Sequence, residues 1–440
     1  MGINFLIKYL QIMLSSRDYQ KKVGVLFILF VLFFLVFPTS IFAVAIQQQK
    51  DFNEYEGVVI DATTREPLVF AVLSIVKTNI TTITNTEGNF TLKVPKDIKS
   101  DKIEITMLGY KSKFVSLSQL KSTKNKILLD VAVIKLSEIV LNLPKDAKQL
   151  VKSMFSNTDN NYSNEHVLMT AFYRETIKKR SRNVSLAEAI VTIYKQPYSS
   201  NSKDKINLYK ARKSTDYTKL DTIALKLEGG PFNALFVDVI KYPEYLFTSE
   251  SIDLYKFSFS NTTTVSNRTV YVVDFIQNAD IKRPLFFGKL YIDVHSKALV
   301  SAIYSLNVSN KERAARLFVK KKPRDVFVYP TSVSYRVDYR QKNGKWYYGY
   351  SNAQLTFKIK RKGKWFKSTY SINSEMLITD WKINTTKEKP KYKDRMRYSI
   401  IISDEASGFS DPEYWGEFNV IEPDKSIENA IKKIKKKLIE

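Results

Sequence analysis

Apolar and polar residues alternate along most of the chain after residue 55, which is the period of a half-buried β-strand. The runs VYVVDFI, GKLYIDVH and SVSYRVDYR are typical of this pattern. The tripeptide GKW occurs at 344–346 and at 363–365, and each copy indicates a hairpin turn with an aromatic residue opening the return strand. Residues 147–155 carry apolar residues at helical spacing instead. The pattern predicts a mainly β protein with a large antiparallel sheet over residues 145–423 and a few helices.

A sheet of this size must cover its apolar face. It can wrap around the predicted helix at 147–155. It can also curl into a half-barrel, which would create an apolar groove. The alternation of apolar and polar residues is compatible with both arrangements.

Residues 52–132 contain several short apolar runs separated by turn sequences. In the stretch TNTEGNFTLKV, a turn is followed by Phe90, Leu92 and Val94 in alternation with polar residues. We expect Gly88 to adopt a positive φ in this turn and Phe90 to fill a core between two sheets. Short strands at this spacing predict a small β-sandwich.

Four motifs in this segment resemble the carboxypeptidase-regulatory-like domain. They are Gly57-x-x-x-Asp61, Glu66-Pro67-Leu68-x-x-Ala71, Thr84-Asn85-x-x-Gly88-x-Phe90 and Leu108-Gly109-Tyr110-Lys111. The resemblance implies a transthyretin-like, seven-stranded β-sandwich over residues 52–132. Asn85 and Glu87 are interpreted as turn residues, and a binding loop at these positions is the alternative.

Motifs of the following region resemble a group of Gram-negative envelope proteins, in which this small domain precedes a large β domain of unassigned function. They are Phe172-Tyr173-Arg174-Glu175, Glu188-Ala189, Gly229-Gly230-Pro231 and Tyr414-Trp415-Gly416-x-x-Asn419-Val420-Ile421-x-Pro423. The hexapeptide GKLYID at 288–293 is also similar to the half-barrel of periplasmic lipoprotein carriers. These resemblances imply an envelope protein with a half-barrel-like sheet.

The N-terminal residues predict export. Residues 23–37, VGVLFILFVLFFLVF, contain no charge, follow Arg17, Lys21 and Lys22, and precede the small-residue site AVA at 43–45. This order predicts a signal peptide over residues 1–45, cut after Ala45. Alternatively, residues 23–46 are an uncleaved inner-membrane anchor. In both cases the rest of the chain lies outside the cytoplasm, in the periplasm or at the outer membrane.

The chain is strongly basic, with 70 Lys and Arg against 44 Asp and Glu and a formal charge of +26. The lysines are spread along the whole chain, which indicates a solvated basic surface rather than a nucleic-acid site. The predicted export also argues against nucleic acid as a partner. Residues 424–440 predict a basic C-terminal helix, and either solvent or an anionic membrane can face its lysines.

No motif for catalysis, cofactors or metals is present in the sequence. The chain has no Cys, and His166 and His295 lack metal-ligand spacing, so the residues of a zinc carboxypeptidase are absent. A pair of carboxylates remains a candidate for glycoside hydrolysis. The acidic residues that lie in or near predicted strands are Glu175, Glu188, Asp238, Asp274, Asp293 and Asp338. Arg174, Glu175 and Glu188 lie among apolar residues, so we expect fold-internal pairing there or a polar anchor in a ligand groove.

The sequence therefore predicts an exported envelope protein without catalytic activity, cofactor or metal, which binds a lipid, a glycan or a protein partner. Membrane association would come through the N-terminal segment if it is not cleaved. The alternative is a carboxylate-dependent glycan hydrolase of the envelope. The ligand-binding residues are not assigned by the sequence.

Overall fold

The computed structural model describes residues 51–132, 146–215, 228–248, 250–319, 322–363, 365, 367–408, 414–425 and 427. The predicted signal peptide or anchor at 1–45 and most of the predicted C-terminal helix at 424–440 lie outside these ranges. Within them, no helix combines the length and the apolar character needed to span a bilayer.

Seven short strands form two small sheets near the beginning of the described chain. They are β1 Phe52–Asp61, β2 Val72–Ile75, β3 Thr81–Ile83, β4 Asn89–Pro95, β5 Lys102–Thr106, β6 Lys113–Ser116 and β7 Asn125–Leu129. One sheet has the order β4-β1-β7 and the other β3-β2-β5-β6. Their apolar residues share one buried core that includes Leu73, Phe90, Leu92 and Ile105. The predicted β-sandwich is confirmed.

The turn before β4 has the predicted geometry. Gly88 adopts φ +73°, and the Asn85 side-chain oxygen accepts hydrogen bonds of 2.9 Å from the backbone N–H groups of Glu87 and Asn89. Phe90 is 1% exposed in the sandwich core. The short Asn85 side chain therefore closes the turn, and the glycine lets the chain enter β4.

We expect Gly88→Ala to destabilise the protein more than Gly344→Ala. A Cβ at Gly88 would lie 2.7 Å from the Val59 carbonyl oxygen, whereas Gly344, at a similar φ of +79°, has no atom within 4 Å of the added carbon. Each substitution lowers the free energy of unfolding by about 1 kcal/mol, because alanine disfavours the left-handed backbone conformation. At Gly88 alone, the clash with the Val59 carbonyl lowers it by about 2 kcal/mol more. Urea unfolding of the two variants measures the difference. Equal losses of stability would contradict the close approach at Gly88.

Ten long or medium strands form one antiparallel sheet. They are β8 Val167–Lys179, β9 Arg182–Lys195, β10 Lys205–Thr215, β11 Tyr255–Val265, β12 Arg268–Gln277, β13 Phe286–Asp293, β14 Leu299–Leu306, β15 Val326–Lys342, β16 Lys345–Arg361 and β17 Ser368–Ile383. Their order is β11-β12-β13-β14-β15-β16-β17-β8-β9-β10, and the two-residue β18, Ser407–Gly408, pairs in parallel with β10. The sheet is not closed into a barrel, because β11 ends the sheet opposite β18. The predicted fold class is confirmed.

In the part of the chain that the structure describes, five helices accompany the large sheet. They are α1 Ala147–Ser156, α2 Thr158–Asn161, α3 Pro231–Leu235, α4 Lys311–Phe318 and α5 Ile402–Glu405. Short 3₁₀ turns occur at Leu117–Gln119, Pro243–Tyr245, Ser251–Leu254 and Tyr392–Asp394.

The two faces of the large sheet pack against different parts of the chain. On β8, Met169 and Tyr173 point to one face, where they share a core with α1 and with residues 232–255. Phe172 points to the other face, where it packs with Ile83 of the sandwich and Trp415 of the C-terminal region. The helix predicted at 147–155 thus lies in the core on the first face, which is covered by the chain itself.

The two GKW turns differ from each other. Asn343 and Gly344 both have positive φ between β15 and β16, and Trp346 is buried in the return strand, as predicted. Trp365 is 95% exposed and precedes β17, which begins at Ser368. The expectation that Trp365 opens the return strand is therefore wrong, because this turn extends beyond the edge of the core.

Candidate functional site

A cleft of about 750 Å³ lies between α1, the loop that joins β9 to β10, and the segment that follows α3. Its lining combines aromatic rings, hydroxyl and amide side chains, lysines, and the carboxylates of Asp159 and Glu244. The main contributors are Phe155, Tyr198, Tyr242, Phe247, Ser199, Ser200, Asn201, Ser202, Lys203 and Lys241. Five of the polar residues lie in the loop that joins β9 to β10, and the others come from α1, α2 and the segment that follows α3.

A buried ion cluster lies beneath this cleft. The Lys195 ammonium at the end of β9 is 2.7 Å from Asp204 Oδ2 and 2.7 Å from Asp238 Oδ2. The side chains of all three residues are at most 1% exposed. Burial lowers the pKa of Lys195, but the two carboxylates outweigh it and raise that pKa above its ordinary value. Lys195 is therefore a charged group in the protein interior.

Tyrosine hydroxyls surround the two carboxylates. Tyr242 donates to Asp204 over 2.8 Å, Tyr198 donates to Asp238 over 3.0 Å, and Tyr339 donates to Asp238 over 2.8 Å. Burial and the nearby Asp238 carboxylate raise the pKa of Tyr198 and of Tyr339 well above the usual value. Tyr198 and Tyr242 also line the cleft, so the ion cluster holds both rings in fixed positions.

Lys241 connects the polar loop to the cleft wall. Its ammonium donates to the backbone carbonyls of Pro197 and Ser200. Burial, together with the charge of Lys195, lowers the pKa of Lys241 to about 8. The cleft therefore has a cationic side chain at neutral pH that loses its charge as the pH rises through about 8.

The Asp204 and Asp238 carboxylates are close enough to raise the question of glycoside hydrolysis. The oxygens that lie 2.7 Å from the shared ammonium accept hydrogen bonds from Lys195 and from tyrosine hydroxyls. A glycosidase uses two carboxyl groups that flank the scissile bond. Such an enzyme needs both carboxyl groups in contact with substrate. These two are buried beneath the floor of the cleft.

The other acidic residues selected from the sequence each have partners of their own. Glu175 accepts a hydrogen bond from Tyr173, and burial raises the pKa of Glu175 to about 7. Asp274 is bound by Lys289, Asp338 by Arg336, and Asp293 by the backbone N–H of Ser296. The six carboxylates, including Glu188 and Asp238, are not gathered into one cleft. In the described ranges, no cluster of His, Asp and Glu could hold a metal ion.

Arg174 is paired inside the fold. Its Nη2 atom is 2.7 Å from Glu188 Oε1, and Glu188 Oε2 accepts a further hydrogen bond of 2.8 Å from Arg212. The same Nη2 atom donates to the Ile421 carbonyl over 2.6 Å. Burial lowers the pKa of Arg174, but Glu188 and Glu375 outweigh it and raise that pKa. Arg174 thus joins the sheet to the segment 414–425.

Residues 55–141 match the family model described as a CarboxypepD_reg-like domain. The N-terminal sandwich is a CarboxypepD_reg-like domain. The resemblance predicted from the four sequence motifs is therefore confirmed for this part of the chain, and a large β region follows it.

Comparisons of the whole chain give distant similarities. No curated protein matches it in sequence. A DUF1329 family protein from Desulfovibrio piger is 8% identical with a TM-score of 0.23, and the match covers 55% of this chain and 95% of that chain. A LolA superfamily protein from Nitrosomonas europaea is 6% identical with a TM-score of 0.21, and the match covers 57% of this chain and 98% of that chain. Similarity at this level assigns no function.

The signature turn of the CarboxypepD_reg-like domain contacts the segment 414–425. The Asn85 amide donates to the Pro423 carbonyl over 3.3 Å, and Glu87 Oε1 accepts from the Lys425 backbone N–H over 3.2 Å. Nearby, the Asn419 side chain bonds to both the N–H and the carbonyl of Lys93, over 2.8 and 3.0 Å. Asn85 and Glu87 therefore bind another part of the same chain as well as closing their turn.

Sequence reasoning selected Asp238 but missed Lys195, Asp204 and the tyrosines around them. Lys195 ends an apolar run and resembles a solvated strand end, and Asp204 lies in a polar loop. The signal that could have identified them is the presence of Tyr198 in the loop and of Tyr242 in an apolar segment, since a buried tyrosine hydroxyl needs a partner.

Proposed function

We propose that the chain is a binding protein of the cell envelope, without catalytic activity, that holds a saccharide in the cleft beside α1. The observation that carries this proposal is the lining of the cleft. A loop of hydroxyl and amide side chains, residues 199–202, lines the same cleft as the Tyr198 and Tyr242 rings and Lys241.

This lining favours a ligand that can form many hydrogen bonds. Covering the loop with an acyl chain would remove its polar groups from water without replacing their hydrogen bonds, which costs free energy for each group. Saccharide hydroxyls both donate and accept, so they can satisfy the serine hydroxyls and the Asn201 amide. The aromatic rings supply the apolar surface against which a sugar ring can lie.

The rigid floor also supports binding. Tyr198 and Tyr242 are held by the Asp238 and Asp204 carboxylates, so a ligand orders few side chains on binding. The same hydrogen bonds occupy the carboxylates, which supports binding rather than hydrolysis. The envelope location in this proposal rests on the export that is predicted from the sequence of residues 1–45.

Native mass spectrometry of the protein purified from its own envelope tests the proposal. We expect a retained, non-covalent mass with a saccharide composition. Asn201→Trp places a bulky ring at the mouth of the cleft and should remove that mass. Asn261→Trp, at an exposed position of β11 outside the cleft, should retain it. A retained phospholipid or polypeptide, or a saccharide kept equally by both variants, would contradict the proposal.

A further inference from the structure

A second feature lies at one end of the large sheet, where β16 ends and β15 and β17 begin. Trp365 is 95% exposed there, although the other three tryptophans, Trp346, Trp381 and Trp415, are each at most 7% exposed. Phe327, on the neighbouring strand β15, is 57% exposed. Leaving two large aromatic side chains in water at one place needs a physical reason, because exposed apolar surface of this kind often marks an interaction site.

Strand pairing places lysines beside these rings. Phe327 is opposite Lys360, and Tyr329 is opposite Lys358, on the face away from the buried residues Val328 and Ile359. The Lys322 ammonium lies 5.6 Å from the centre of the Phe327 ring. The Lys367 ammonium lies 5.9 Å from the Tyr329 ring. Aromatic and cationic groups therefore share one surface.

We name this surface the tip surface. It consists of Lys322, Arg324, Phe327, Lys358, Lys360, Lys362, Trp365 and Lys367, all of which are exposed. The one acidic residue among the described positions 322–329 and 358–369 is Asp325, which pairs with Arg361 over 3.3 Å. The tip surface is thus strongly cationic with its apolar rings set among the charges.

We propose that the tip surface docks onto the surface of an anionic lipid bilayer. Tryptophan favours the boundary between headgroups and acyl chains, where an apolar ring and a polar N–H are both accommodated. Lysines around it are attracted by the negative potential of anionic lipids. A protein partner fits this surface less well, because protein interfaces exclude charge from their centres. No residue of the tip surface lines the cleft beside α1, so the two sites can be tested separately.

Quenching of Trp365 by brominated lipids tests this proposal in the full chain. We would titrate the protein with vesicles of phosphatidylcholine, with and without about a third phosphatidylglycerol, in which the acyl chains carry bromine. Because the other tryptophans are buried, quenching reports contact of Trp365 with the bilayer. A tether through residues 23–46 does not produce this signal. We expect quenching on the anionic vesicles, loss of the effect at high salt, and no quenching by neutral vesicles.

Variants separate the tip surface from general basicity. Lys360→Glu with Lys362→Glu should weaken the vesicle affinity read from Trp365 by about 30-fold or more. Lys99→Glu with Lys102→Glu makes the same change of charge at exposed positions of the sandwich. This control should alter the vesicle affinity by less than about twofold. Trp365→Ser should remove the quenching while the emission of the buried tryptophans stays unchanged, which shows that the fold is intact. An unquenched Trp365 on anionic vesicles, or equal effects of the two double variants, would overturn the proposal.

Discussion

Replacing Lys195 by methionine is expected to lower the free energy of unfolding by about 4 kcal/mol. The change removes the cation between the Asp204 and Asp238 carboxylates, both of which lie 2.7 Å from its ammonium in the native protein. Two like charges then remain in the interior without a counter-ion, and each loses a strong hydrogen bond. Urea unfolding followed by circular dichroism measures the loss.

A triple variant provides the control for this prediction. Lys195→Met combined with Asp204→Asn and Asp238→Asn removes all three charges at similar volume, and we expect it to recover most of the stability. If the single and triple variants lose equal stability, the cost comes from packing and not from the unpaired carboxylates. If Lys195→Met loses less than about 1 kcal/mol, the cluster is not the buried ion triplet described above.

The second large effect is expected for Arg174→Met, at about 3 kcal/mol. Arg174 neutralises Glu188, lies 3.5 Å from Glu375 and donates to the carbonyls of Ile421 and Glu422. Burial already raises the pKa of Glu375 even though the Arg174 charge lowers it. Without the guanidinium, the carboxylates lose their main counter-ion and the segment 414–425 loses two anchors to the sheet.

Hydrogen exchange distinguishes a local from a global effect of this change. We expect faster amide exchange in Arg174→Met around Lys93, whose backbone N–H and carbonyl are bound by the Asn419 side chain. Arg361→Met removes an arginine whose side chain is 34% exposed, 3.3 Å from the Asp325 carboxylate, which is 51% exposed, and should cost less than about 1 kcal/mol without altering exchange near Lys93. Unchanged exchange near Lys93 in Arg174→Met would contradict the role of Arg174 as an anchor of this segment.

The features that follow from local sequence were predicted well. The turn at Gly88 and the hairpin at Gly344 need positive φ, and the glycines mark both positions in the sequence. Fold-internal pairing was one of two expectations for Arg174, Glu175 and Glu188, because these charges lie among apolar residues, but the sequence did not say which residue pairs with which. Such inferences depend on a few neighbouring positions, so a single sequence contains the information they require.

The cleft and its floor could not be predicted in the same way. The packing of the segment after α3 against the sheet brings Lys195 and Asp238 together. The periodicity of apolar residues does not predict this long-range contact. The sequence pattern also predicts the same geometry for both GKW turns, with the tryptophan opening the return strand. Trp346 is buried in a strand whereas Trp365 is exposed beyond its strand, because burial depends on whether the core extends beneath the turn.

The most direct test of the central proposal is to follow an envelope saccharide on the protein over time by native mass spectrometry. The protein would be incubated with a soluble saccharide fraction from its own envelope, and the masses of bound and released saccharide would be recorded. We predict that the saccharide binds to the cleft and is released at its original mass by wild-type protein and by Asp238→Asn alike. Shortened products that are formed by wild-type protein and disappear in Asp204→Asn or Asp238→Asn would contradict the account and establish a hydrolase.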